Sequence, residues 1–298
     1  MPEARSGIET SHPVTPLMQQ NTEVIGQWTE SARYWEKHRE TLRQMFAPVT
    51  LALIEDAEIR RRCTVLDVAT GPGEPALSIA ELIAPEGKVV GTDAVPEMVE
   101  AARREGRRRG LHNASFAVAL ADKLPFPANT FDVVVSRFGV MFFPSPVDSV
   151  RECLRVLKPG GRISLAVWHF AERNPFHYLV ARVVEQYVAS TPPPPDSPDA
   201  FRFANPGELL AVLSKASVTA ISEHLLRFEI RAPLSAEDFW TLRYEMSDKL
   251  RTKLRVLSQQ QTTKLRREVI EALSLYSSDR GIGFPAEVLI VSGQKEPS

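Results

Sequence analysis

Cysteine is scarce in this chain: two residues in 298, Cys63 and Cys153. No Cys-x-x-Cys pair and no cysteine–histidine cluster occurs, which argues against a structural zinc site or a thiol-bound metalloid substrate, so no metal is expected. Both cysteines read as small core residues of a reduced, cytoplasmic protein. Net charge is also lacking: 36 basic against 37 acidic residues give a formal −1, so no global field draws the molecule to nucleic acid or anionic lipid. No apolar run approaches the roughly 18 residues of a membrane span. The first twenty residues are polar and broken by proline, without the apolar core of a signal peptide, and read as a disordered arm. Internal repeats are absent.

The most informative stretch runs from Val65 to Ala76, Val-Leu-Asp-Val-Ala-Thr-Gly-Pro-Gly-Glu-Pro-Ala. Its apolar start suits a buried strand, Gly71-Pro72-Gly73 makes a turn, and Ala76 to Ile83 has helical apolar spacing. A strand, a glycine turn and a helix start form a place where backbone can approach a ligand closely. Gly71-x-Gly73-x-x-Ala76 fits the dinucleotide fingerprint, a weak signal by itself, and a plain connecting turn stays open at this point.

Ahead of it, Asn21 to about Ala57 is helical, with Trp28, Ala32, Trp35, Leu42, Met45 and Phe46 on one face and Tyr34 and His38 on a flank. That flank either is a polar helix edge or closes over a ligand. Gly87 to Asp93 reads as a second strand, and Asp93 lies twenty residues after Gly73, the spacing at which a carboxylate can grip ribose hydroxyls. Pro96 opens the next helix, whose run Arg103, Arg104, Arg107, Arg108 and Arg109 reads as a solvated face. Further strands follow at Ala114 to Leu120, Phe131 to Ser136 and Arg162 to Trp168. The exit of the fourth, Arg137 to Phe143, is so apolar that it should line a pocket. Lys158 to Gly161 reads as a helix stop with a sharp turn. Repeated strand–helix alternation argues a doubly wound α/β sheet.

Five blocks in order carry a resemblance: Val65 to Gly73, Gly91-Thr92-Asp93, Leu124 to Pro127, Thr130 to Asp132 and Leu157 to Gly161. Together they resemble class I S-adenosylmethionine (SAM)-dependent methyltransferases, in particular the small-molecule branch with the quinone-biosynthesis C-methyltransferases. The resemblance covers about Asp56 to Trp168, with a weaker echo at Gly283 to Lys295. It implies a Rossmann-like seven-stranded sheet with an antiparallel last strand, plus a helical cap. It implies SAM as cofactor and S-adenosylhomocysteine as product. Asp67, Ala69, Gly71 and Gly73 match the loop that holds the methionine part, and Asp93, with Ala94 beside it, matches the ribose-binding acid. Met98 matches a residue near the adenine. Where relatives often carry an adenine-contacting polar residue this chain has Leu120, so Asp122 and the backbone of Ala121 are expected to serve instead. Arg137 and Tyr34 complete the expected cofactor set.

The expected organisation is an arm over 1–20, cap helices over 21–57, the SAM-binding core over 58–169, a cap insertion over 170–204, core again over 205–231, a helical cap insertion over 232–280, and the last strand and tail over 281–298. A stiff linker is expected at Pro192 to Pro195, and removal of 232–280 is expected to spare the core. A largely apolar cap favours a small apolar or aromatic acceptor over nucleic acid or another polymer, with a homodimer left open. Of six histidines, His169 follows strand 5 at the ligand-binding edge and is the candidate base. His38 and His177 are alternatives on the cap elements, whereas His12, His112 and His224 are discounted. Two competing readings stand beside the methyltransferase: an NAD(P)-dependent oxidoreductase and a non-catalytic SAM-binding subunit.

Overall fold

The computed structural model describes residues 16–189, 194 and 196–297. The arm expected over 1–20 lies outside them up to residue 15, and residues 16–20 belong to a helix. All of the expected proline linker except Pro194 also lies outside.

The single helical pattern of the N-terminal region breaks into α1 (Pro16–Lys37), α2 (Arg39–Met45) and α3 (Ala47–Asp56). The core then alternates through β1 (Thr64–Val68), α4 (Ala76–Ile83), β2 (Lys88–Asp93), α5 (Pro96–Arg108), β3 (Ala114–Val118), β4 (Phe131–Arg137), α6 (Pro146–Val156) and β5 (Leu157–Trp168). After it come α7 (Pro175–Glu185), α8 (Glu208–Lys215), β6 (Thr219–Ala232), α9 (Ala236–Met246), α10 (Asp248–Arg255), α11 (Gln259–Leu273), β7 (Ser277–Ser278) and β8 (Gly281–Gln294).

The sheet order is β3-β2-β1-β4-β5-β8-β6, with β8 antiparallel to both its neighbours and the pairs from β3 to β5 parallel. This is the expected seven-stranded sheet with a reversed last strand. The two-residue β7, an eighth strand, adds a hairpin against the start of β8. Lys158 to Gly161, expected as a turn, is absorbed into β5: Gly160 and Lys295 of the tail, and Lys295 and Gly161, exchange backbone hydrogen bonds. Period-two alternation divides the central strands. Leu66, Val68 and Val134 belong to one buried cluster, whereas Val65, Val133 and Val135 join Leu77, Ile79 and Val99 in another.

The helices after β6 are not a detachable cap. Phe239 of α9 is fully buried, with its ring 4.9 Å from Phe284 of β8 and 5.6 Å from Phe176 of α7. Leu265, Val269 and Leu273 of α11 share the same core, so excising 232–280 would open it rather than spare it. Ser235 caps α9 by accepting from Asp238 N–H at 3.0 Å, as its spacing suggests, and Ser258 with Gln261 forms a capping box on α11. The end of α1 and the residue after it are tied to these elements: Glu245 takes Lys37 at 2.7 Å and His38 at 2.6 Å. Cys153 is core, and burial pushes its thiol up to about 12. Cys63 is only half-buried, where its sulfur accepts from Arg60 N–H. Among the described residues no helix is long and apolar enough to cross a membrane.

Candidate active site

The chain reverses sharply after β1. Ala69 holds φ +59°, a left-handed conformation unusual for a residue with a Cβ, and Gly71 holds φ +56°. A Cβ on Gly71 would meet nothing within 4 Å, so this side of the turn is open to a ligand. Gly73 is the opposite case: at φ +113° a Cβ would fall 2.5 Å from Leu77, so its role is to let the turn pack on α4.

Asp67 lies wholly buried beneath the turn. Its Oδ2 accepts from Ala76 N–H at 3.0 Å, while its Oδ1 and the Thr70 hydroxyl are buried without partners. Burial raises the Asp67 carboxyl to about 7, opposed first by the neighbouring Thr70 hydroxyl, which lies close to it without full hydrogen-bond geometry, and then by Arg137. At the end of β2, Asp93 Oδ2 accepts from Gly71 N–H and Oδ1 from Val95 N–H, both at 2.9 Å. Burial raises its pKa while these backbone donors resist.

One cavity of about 430 Å³ opens onto this turn, within the range of small-molecule sites. Ala69, Gly71, Asp93, Ala94 and Met98 line one end, with Ala121, Asp122 and Arg137 beside them. Leu120 also lines it, where the expected polar residue is missing. Arg137 donates to Thr50 Oγ1 at 2.8 Å, and burial lowers its pKa against the pull of Glu74 and Asp67. The other end is aromatic. Phe138 and Trp168 stack at 4.3 Å with 2° between planes, and Phe46 meets both edge-on. Phe142 joins from the apolar loop after β4, against Trp28 at 5.1 Å. That loop lines the cavity, as its composition requires.

Four expected residues stand elsewhere. Asp67 and Gly73 sit behind the cavity wall and shape it rather than face it. Tyr34 points to α10, where Arg251 lies 5.0 Å over its ring; Trp28, Ser31 and Trp35 carry α1's share of the lining. The reason is the helical step: Tyr34 is one residue, about 100°, away from Trp35. His169 is likewise turned away. Its Nδ1 lies 2.7 Å from Glu287 Oε2, its backbone N–H donates to the Glu287 carbonyl, and Trp168 before it takes the cavity side. His38 is held by Glu245, outside the lining. The histidine in the cavity wall is His177, 4.5 Å from the Trp168 ring. Sequence reasoning missed Thr70, Glu74 and Arg243 in the lining. An arginine amid a polar-rich helical segment carries no signal of an inward direction.

The fold and this turn match known proteins. Residues 66–165 match the family model described as "Methyltransferase domain". Over that stretch, a third of its length, the chain is similar to this family. This bears out the resemblance to methyltransferases over residues 66–165. The chain's sequence is 37% identical over 123 residues to the uncharacterized methyltransferase YcgJ of Bacillus subtilis, covering 41% of this chain and 47% of that protein. It is 39% identical over 141 residues to the ubiquinone/menaquinone biosynthesis C-methyltransferase UbiE of Ectopseudomonas mendocina, covering 47% and 54%. It is 36% identical over 121 residues to the aklanonic acid methyltransferase DauC of a Streptomyces species, covering 41% and 55%. The crystal structure of YcgJ shares the fold at TM-score 0.54 and 23% identity, over 84% of this chain and 98% of that one. The chain thus spans about half the length of the curated relatives it matches. Nothing in these comparisons supports the nicotinamide or the non-catalytic alternative.

Proposed function

We propose that the protein transfers a methyl group from SAM to a small apolar or aromatic acceptor. One observation carries the reading: a single cavity joins the glycine turn and Asp93 to a wall of stacked aromatic rings. The residues present fit the cofactor. The open side of Gly71 admits a ligand against backbone, and Asp93 retains lone pairs for ribose hydroxyls. Ala69 to Pro72 and Arg137 would hold the amino-acid part, and Ala94, Met98, Ala121 and Asp122 the nucleoside. Asp67 and Gly73 hold the turn in shape from behind.

SAM supplies, when bound, a sulfonium methyl that an acceptor atom takes by in-line displacement. The chain's own task is to align the acceptor and exclude water. Phe138, Trp168 and Phe46 give faces that tolerate a cation and a ring that lies flat. The names of UbiE and DauC support a small organic acceptor. Arg103, Arg104, Arg108 and Arg109 are engaged with Phe116 O, Glu36 and Glu105, which supports leaving nucleic acid out. A cytoplasmic location goes with this activity, and light scattering distinguishes a monomer from a homodimer.

A thermal-shift comparison of SAM, S-adenosylhomocysteine, NAD and NADP tests the cofactor. A ligand at a hundred times its dissociation constant stabilises by about 2.7 kcal/mol. Stabilisation by the first two alone is expected; stabilisation by NAD or NADP instead would overturn the reading.

A further inference from the structure

Arg243 of α9 and His177 of α7 line the aromatic end of the cavity, and both lie on Phe176. The Arg243 guanidinium carbon is 4.8 Å from the Phe176 ring centre, and the His177 ring is 5.0 Å from it. Arg243 makes no ion pair or hydrogen bond among the described residues, and its Nε is buried without a partner. His177 Nε2 is in the same condition. The acids nearby in the lining are engaged: Asp199 takes Lys249 at 3.4 Å and Asp248 takes Arg251 at 3.3 Å.

Arg243 is half-buried with its Nε enclosed, and a guanidinium so placed without a carboxylate favours an anion that enters beside it. Burial alone pulls Arg243 down to about 10, which leaves it charged at neutral pH. Burial, and then Arg243, hold His177 well below its usual range, so its ring is neutral there. A fixed cation, a neutral imidazole nitrogen and flat aromatic walls define what fits between them.

We infer that this end of the cavity recognises an aromatic acceptor bearing a carboxylate, which pairs with Arg243 while His177 Nε2 hydrogen-bonds a hydroxyl on the same ring. The inference rests on the methyltransferase reading and names the acceptor class for that site. The planar fork of Arg243 suits a carboxylate in bidentate fashion. Trp168 and Phe176, both buried, form the apolar wall behind this end of the cavity.

The test is calorimetric binding of 1-hydroxy-2-naphthoate and of its neutral amide to the full chain, with and without S-adenosylhomocysteine. The wild type is expected to bind the acid about tenfold or more tighter than the amide. Arg243→Gln should abolish that preference, and Arg243→Lys should restore part of it. His177→Phe should lower affinity for the hydroxy acid while sparing 2-naphthoate. Thermal denaturation of ligand-free Arg243→Gln should show a Tm equal to or above wild type, because an uncompensated charge has been removed. A wild type that binds the amide as well as the acid, or binds neither, overturns the proposal. So does a preference that survives Arg243→Gln, or a lowered Tm that marks the arginine as structural support. Failure of S-adenosylhomocysteine to bind would overturn the methyltransferase reading separately, because the acid–amide comparison is also made without it.

Discussion

Gly71 donates its backbone N–H to Asp93 Oδ2 at 2.9 Å, so the turn after β1 and the carboxylate ending β2 are one unit. Val95 N–H holds the other oxygen at 2.9 Å, and the carboxylate is oriented before any ligand arrives. Asp93→Ala removes both the carboxylate and the tether of the turn. It is expected to weaken S-adenosylhomocysteine binding by about 1–3 kcal/mol, measured by calorimetry. Unchanged affinity would sink the ribose assignment.

Asp67 makes stability depend on pH. The folded chain keeps its proton up to about 7, whereas an unfolded aspartate releases it near about 3.9. Between those values the folded state binds more protons, so this group's contribution falls as pH rises through the window. Asp67→Asn keeps an acceptor for Ala76 N–H but cannot ionise. Urea unfolding from pH 4 to 8 should show wild type losing stability relative to the variant up to about pH 7, then a constant difference. A difference independent of pH would mean that Asp67 is ionised throughout.

His169 ties β5 to β8 through Glu287, and Asn174 completes the clamp by donating to the Glu287 carbonyl at 3.1 Å. His169→Leu should lower stability by about 1–2 kcal/mol and leave S-adenosylhomocysteine affinity unchanged. Lost turnover at unchanged stability would return His169 to the catalytic site.

Glu105 of α5 is 2% exposed and takes Arg39, Arg108 and Arg109, each at 2.7 Å. The Arg108 hydrogen bond, helped by Arg109 against burial, holds its carboxyl down to about 2. Glu105→Gln leaves buried Arg109 to Glu74 and Glu81 alone, at a cost of about 1–3 kcal/mol by denaturant unfolding. A cost below about 1 kcal/mol would place this cluster with ordinary surface pairs.

Much of the fold was legible because it is written locally. Val65 to Gly73 shows its strand and turn within a few residues, and the apolar loop Arg137 to Phe143 announces a buried destination. Asp93 follows from its spacing to Gly73. Direction was less legible. Trp168 and His169 are adjacent, yet one lines the cavity and the other binds Glu287, more than a hundred residues away in sequence. Ser258 and Gln261 form a capping box that the polar-rich segment concealed.

By itself the sequence determined the order of elements, the glycine turn and the carboxylate that meets it, while the reversal of the last strand was implied by the family resemblance. Periodicity and backbone sterics act over a few residues, and both can be read along the chain. Only the tertiary structure decided that Tyr34 faces α10, that the helices over 232–280 share the core, and that Arg243 comes to stand beside His177 without a counter-ion. These depend on which distant segments pack together, and on where the desolvation of a charge is left without compensation.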